Sequence, residues 1–282
     1  MLAIIPCLCY TLFVVEREQP QKGLITVSID HRHIYGIMLD TETANTLEDG
    51  DKLDMSSVLV YDMGFAVIDS HANIYETHSF VVSDIFNGEA DLMKSAYYAK
   101  KIPQYIEDIK SGKRKLATAY EVRQLILTKC AEYGCQFACA HNMRFDNNAC
   151  NNLIRWTTKS KYRYFFPYGL ELWDTMRMAN DVICKMPTYR KFCEDNGYLT
   201  KSNQCRKTAE ILYRFITGNN EFEESHTGLE DVLIEVEILR YCVRQHKPMQ
   251  KTLFNKQTER PKPTDFQMGI AKSLRECPVL HL

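Results

Sequence analysis

The chain has 282 residues, 45% of them hydrophobic and 25% charged, with 12 Gly and 9 Pro. That is ordinary globular composition, which excludes a disordered or collagen-like chain and suffices for one large core. The net charge of −1 excludes a chain-wide field for polyanions, so affinity for nucleic acid has to come from local patches or bound metal.

In chain order, the first 15 residues, MLAIIPCLCYTLFVV, are apolar. They are shorter than the ~20 residues that span a bilayer. They lack a basic leader region and are interrupted by Pro6, so they read as a buried strand or an appended leader, with no membrane partner. Residues 34–39 (IYGIML) form an apolar run ending at Asp40, the pattern of a central buried strand. Two further strand-like runs, 58–69 and 73–82, are joined by the polar link Ser70-His71-Ala72 and predict a hairpin. Helix-like sequence follows over 90–110 and 116–133, the latter with Leu116, Tyr120, Val122, Ile126 and Leu127 on one face; KSGKRK (110–115) between them reads as a solvated loop.

CQFACA (135–140) predicts a short buried strand, followed by a helix from Asp146 to Trp156. ELWDTMRMA (171–179) predicts a strand or strand end. A helix starts near Thr208 and breaks at Gly218-Asn219-Asn220, and a last one runs from Leu229 to Val243. From His246 the periodicity fades into an exposed tail. The expected architecture is α/β, a mixed β-sheet flanked by α-helices, with an N-terminal extension (1–33), one domain (34–245) and a C-terminal tail (246–282).

The 11 cysteines include Cys130, Cys135 and Cys139, spaced x4 and x3, with no paired CxxC to complete a tetrahedral zinc site. They read as reduced, mostly buried thiols of a cytoplasmic protein.

Three segments carry chemistry. Asp40-Thr41-Glu42-Thr43 ends the first strand, and side chains two apart on a strand share a face, so Asp40 and Glu42 present two carboxylates to one point, suited to hard divalent cations. AHNMRFDNNAC (140–150) places Asp146 just after a buried strand, near a helix start. SHTGLEDVLIEVEIL (225–239) puts His226 on a loop and Asp231 in the first turn of a helix, with Thr227 and Glu230 spaced as a capping box. His141 and Asp146 share the H-x4-D spacing of His226 and Asp231, so spacing alone does not choose between the two histidines.

In order and context, Asp40-x-Glu42, then His141-Asn142-x-x-Phe145-Asp146, then His226-x4-Asp231 resemble the three motifs of the DEDDh 3′→5′ exonucleases across residues 34–245. The long loop after Glu42 and the large helical region 88–134 depart from compact members. The resemblance implies a ribonuclease-H-like fold and two divalent cations, Mg²⁺ or Mn²⁺, held by Asp40, Glu42, Asp146 and Asp231. It also implies His226 as general base, with Thr43, Asn142 and Phe145 on the substrate. His141 is read instead as orienting the loop of the second motif.

The implied activity is release of nucleotides from a free 3′ end, with single-stranded DNA favoured and a polymerase or other replication protein as a partner. The alternatives are an exoribonuclease trimming RNA ends, a non-catalytic docking module of the same fold, and a zinc-stabilised structural protein. The acid-free stretch 155–168 interleaves Arg155, Lys159, Lys161 and Arg163 with Trp156, Tyr162, Tyr164 and Phe165. It is a candidate single-strand groove, set against ordinary core aromatics with snorkelling cations.

Overall fold

In the computed structural model, residues 29–30, 32–44, 55, 57–94, 96 and 98–254 are described. The apolar N-terminus and residues 255–282 lie outside them. The unit that begins at His31 is built on six strands: β1 (Tyr35–Ala44), β2 (Leu59–Asp69), β3 (Ile74–Val82), β4 (Lys115–Ala117), β5 (Phe137–Ala140) and β6 (Glu171–Asp174). The sheet order is β4-β3-β2-β1-β5-β6. β1–β3 form an antiparallel meander, while β5 runs parallel to β1, β6 to β5, and β4 to β3. This is the expected α/β architecture, a mixed sheet flanked by helices.

The helices are α1 (Ser83–Phe86), α2 (Ala90–Lys94), α3 (Ile102–Lys110), α4 (Ala119–Tyr133), α5 (Met143–Thr158), α6 (Thr175–Val182), α7 (Pro187–Asp195), α8 (Ala209–Thr217) and α9 (Gly228–Arg244). Strand alternation sorts the core into two faces. Met38, Ala66, Ile68, Phe137 and Cys139 pack with residues of α6–α9, including Met178, Tyr189, Leu212 and Val236. The other parity, represented by Ile37, Leu39, Val67 and Ala138, is equally buried, and α4 and α5 also contact the sheet.

Several local expectations are corrected. The helix expected over 90–110 is split into α2, a 3₁₀ turn at Ala99–Lys101, and α3, which opens with a proline in its first turn. The helix expected from 116 begins at Ala119, where Thr118 and Glu121 form a complete capping box. Leu116 instead lies on β4, and both it and Tyr120 are exposed, so the buried face of α4 is Ala119, Val122, Ile126, Cys130 and Tyr133.

KSGKRK is not wholly solvated. The Arg114 side chain is fully buried, bonded to Asp62, Asp108 and Glu230. The strand read at 171–179 stops at Asp174, whose carboxylate caps α6 by accepting from the N–H groups of Met176 and Arg177. The tail is not exposed from His246 onward, because Leu253 is buried, its N–H donates to Leu172 O, and Thr252 bridges Trp173.

Candidate active site

β1 supplies the first two acids. Asp40 and Glu42 share the parity of Met38 and so project on the face that α9 covers. β5 pairs with β1 only over Gly36–Met38, which leaves both carboxylates past the last β1–β5 pair, in the crevice beyond the C-terminal end of β5. Open α/β sheets bind ligands at such crevices. The turn after β5 returns Asp146 to the same place, in the first turn of α5, where Thr41 Oγ1 donates to Asp146 Oδ1 at 2.8 Å.

α9 brings the third pair. His226 turns the chain with a left-handed backbone (φ +48°) just before the helix. The N–H of Thr227 then donates to Asp231 Oδ2 at 3.0 Å. Glu42, His226 and Asp231 have ligand atoms that all lie within 4.8 Å of one another. The Tyr98 ring stacks on His226 with centroids 4.7 Å apart, and the Lys101 ammonium donates to the carbonyl oxygens of Ser225 and His226. Both residues sit at the 3₁₀ turn, so the histidine loop is held from a second side.

The expected capping box at the start of α9 does not form. Glu230 is drawn away to Lys113 and Arg114, each at 2.8 Å, and accepts from the Thr227 hydroxyl at 2.9 Å. Asp62 instead accepts from the Gly228 N–H at 3.0 Å.

Asp40, Glu42, Asp146 and Asp231 line a cavity of about 570 Å³ that also holds His141, Asn142 and Phe145. Burial first, and then mutual repulsion, raise the carboxyls: Glu42 to about 9 and Asp231 to about 8. Asp40 is raised by burial and by Glu235, Asp146, Glu42 and Asp231 around it. Burial is also the main cause for Asp146, pushed up to about 7. Such a cluster holds protons when nothing else neutralises it. Converging carboxylate oxygens are what hard divalent cations take, so the four acids fit the two cations that the motif resemblance implies.

The two histidines separate clearly. His141 has both ring nitrogens engaged: Nδ1 accepts from Thr175 Oγ1 at 2.9 Å and Nε2–H donates to Lys207 O at 2.7 Å. This ties the second-motif loop to α6 and to the segment before α8, leaving His141 no free nitrogen. Thr43 is buried on β1 and does not line the cavity, whereas Thr41 does.

The stretch 155–168 does not line the cavity either. Arg155 stacks on Tyr164, Lys159 on Trp156, and Phe165 and Phe166 enter the core. It starts at Arg155 near the C-terminal end of α5, so about 14 Å of helix separates its start from Asp146. The expected groove is thus displaced from the acids. The zinc alternative also lacks a structural basis, since the eight described cysteines are free and the metal-competent cluster among the described residues contains none. No helix among the described residues is long and apolar enough to cross a membrane.

Sequence reasoning missed four contributors to the cavity, and Lys101, which holds the His226 loop beside it. Tyr98, which lines the cavity, and Lys101 give no local signal. Thr200–Thr208, the segment between α7 and α8, supplies a polar wall that includes Arg206 and Lys207. Glu224 lines the cavity and is pushed up to about 7, mainly by burial. Glu235 lies one turn beyond Asp231, 2% exposed, and its spacing on the helix was the signal available.

The sequence matches no protein-family model and no curated protein. Among solved structures it is similar to a full-length 3′-exonuclease, at 14% identity over 78% of this chain and 85% of that one, with a TM-score of 0.47. The nuclease domain of 3′hExo, a DEDDh family member, bound to rAMP, is similar at 12% identity over 79% and 98% of the two chains, with a TM-score of 0.39. E. coli Exonuclease I in complex with an oligonucleotide is similar at 12% identity over 77% of this chain and 41% of that one, with a TM-score of 0.48. In this chain the three motif segments, on β1, α5 and α9, meet beside the central strands of the mixed sheet.

Proposed function

We propose that the chain is a metal-dependent 3′→5′ exonuclease acting on nucleic acid with a free 3′ end, with single-stranded DNA as the favoured substrate. The observation that carries the reading is the convergence of Glu42, His226 and Asp231 within 4.8 Å, from segments far apart in sequence, beside Asp40 and Asp146. Asp40, Glu42, Asp146 and Asp231 would hold the two cations, which when bound would polarise the scissile phosphate and lower the pKa of water.

The residues of the chain do the rest. His226 takes a proton from the attacking water. Burial, and then the Lys101 charge, lower its pKa, which keeps the imidazole neutral and able to accept near pH 7. Tyr98 and Lys101 fix the ring and the loop that carries it. Asn142 and Phe145 line the same cavity and meet the terminal nucleotide there.

The test is a time course on 5′-labelled and 3′-labelled single-stranded DNA, duplex DNA and RNA, with Mg²⁺ or EDTA. Stepwise shortening of the 5′-labelled strand and immediate release of the 3′ label, in Mg²⁺ only, are the expected results. Faster shortening of RNA would move the substrate assignment to RNA, and the absence of any shortening would end the enzyme reading.

A further inference from the structure

We propose that Glu235 is a fifth carboxylate of the divalent-cation site, completing the set formed by Asp40, Glu42, Asp146 and Asp231. The inference rests on the nuclease reading above and adds a residue that none of the three motifs contains.

Glu235 follows Asp231 by four residues on α9, so the two side chains stand one above the other on one helix face and enter the same cavity. Only 2% of Glu235 is exposed, yet its Oε2 has no hydrogen-bond partner. The backbone N–H of His141 lies beside its carboxylate and favours the charged form. The side chain therefore faces the second-motif loop, with Oε2 bare inside the site. Asp40, Asp146 and Asp231 surround it, and Glu235 is the strongest of the acids acting on Asp40.

A buried carboxylate oxygen without a partner is costly. Neutralising the group with a proton removes the charge, but the new O–H then needs an acceptor that Oε2 does not have. A divalent cation answers both demands, because it takes the lone pair and balances several carboxylates together. The glutamate also sits where an apolar residue would serve α9 better: Val232, Val236 and Leu239 around it are all fully buried.

The experiment is calorimetric titration of the full-length protein with Mn²⁺ at neutral pH, comparing wild type with Glu235→Gln and Glu235→Met, alongside thermal unfolding in EDTA. Gln keeps an oxygen for the His141 N–H, and Met removes the polar group at similar length. Both are expected to bind at least one Mn²⁺ roughly 10–100-fold more weakly, the range for residues that support a metal site. Their melting temperatures in EDTA are expected to equal or exceed that of wild type, because a buried charge is gone. An unchanged isotherm in either folded variant overturns the assignment of Glu235 alone. Failure of the wild type to bind Mn²⁺ overturns the nuclease reading together with it.

Discussion

Gly64 on β2 and Gly228 at the start of α9 meet backbone to backbone. A Cβ on Gly64 would lie 2.1 Å from the Leu229 nitrogen, and one on Gly228 would lie 2.5 Å from the Gly64 nitrogen and 3.2 Å from Asp40 O. Gly64 is also the residue paired with Asp40 across the β1–β2 ladder. The absence of two side chains therefore lets the first turn of α9 sit directly over the first acid, with Asp62 accepting from the Gly228 N–H. The position of His226 and Asp231 relative to Asp40 follows from that contact.

Gly64→Ala tests this directly. The added methyl has only backbone to push against, so stability should fall by about 1–3 kcal/mol or more, as overpacking does. Mn²⁺ affinity should fall with it, because α9 lifts away from β1. Urea unfolding and Mn²⁺ titration check both; a variant with wild-type values in each would contradict the role given to the glycine pair.

The two histidines should part company in kinetics. His226→Ala is expected to lose about 10²–10⁴-fold in kcat, the usual cost of removing a general base. His141→Ala should lose mainly stability, since it breaks the links to Thr175 and Lys207. Rates at saturating metal, with melting temperatures for both variants, decide the matter. Equal and small losses of rate would count against His226 as base.

The pH dependence of the metal-free protein has a definite sign. Asp146, Asp231 and Glu42 sit at about 7, 8 and 9, all above their unfolded values. A native state that keeps protons the unfolded chain has lost becomes less stable as pH rises. Their contribution is present in full below about pH 4, the unfolded carboxylate range, and is gone above the highest folded value. In EDTA the melting temperature should therefore drop steadily from about pH 5 to pH 9. Saturating Mg²⁺ should flatten that slope, because the cations favour the ionised carboxylates. A melting temperature that rises over this range in EDTA would contradict the burial of the cluster.

Arg114 should prove far more consequential than its surroundings in sequence suggest. Its side chain and that of Asp62 are both fully buried, and it also binds Asp108 and Glu230. Arg114→Ala leaves the Asp62 carboxylate without its cation, and such truncations cost about 3–5 kcal/mol. Chemical denaturation measures the loss, and a change below about 1 kcal/mol would mean that the network behaves as a surface ion pair.

The strands were legible because their signals are local: apolar runs of strand length gave β1–β3 and β5. The candidate acids and His226 came from the order and context of the three motifs, since the H-x4-D spacing alone fits both His141 and His226. What stayed hidden depends on partners remote in sequence. Arg114 looks like part of a basic loop until Asp62 and Glu230, 52 and 116 residues away, are brought to it. Lys101 reads as a surface lysine, and only folding places it on Ser225 and His226, 124 and 125 residues on.

The exposed aromatic face of 155–168 illustrates the reverse limit. Its composition suits a nucleic-acid groove, but its distance from Asp146 is set by the length of α5, which composition does not encode. The capping box at Thr227 failed for a similar reason: a local pattern lost to the stronger charges of Lys113 and Arg114.

The central claim is that the converging acids hold cations that drive hydrolysis from a 3′ end. Its most direct test is the rate of shortening of a 5′-labelled single strand in Mg²⁺ by wild type and by Asp40→Ala, with folding of the variant verified by its thermal melt. The account predicts stepwise shortening by wild type, none above background by a folded Asp40→Ala, and none by either in EDTA. Shortening by Asp40→Ala at the wild-type rate, or by wild type in EDTA, would contradict it.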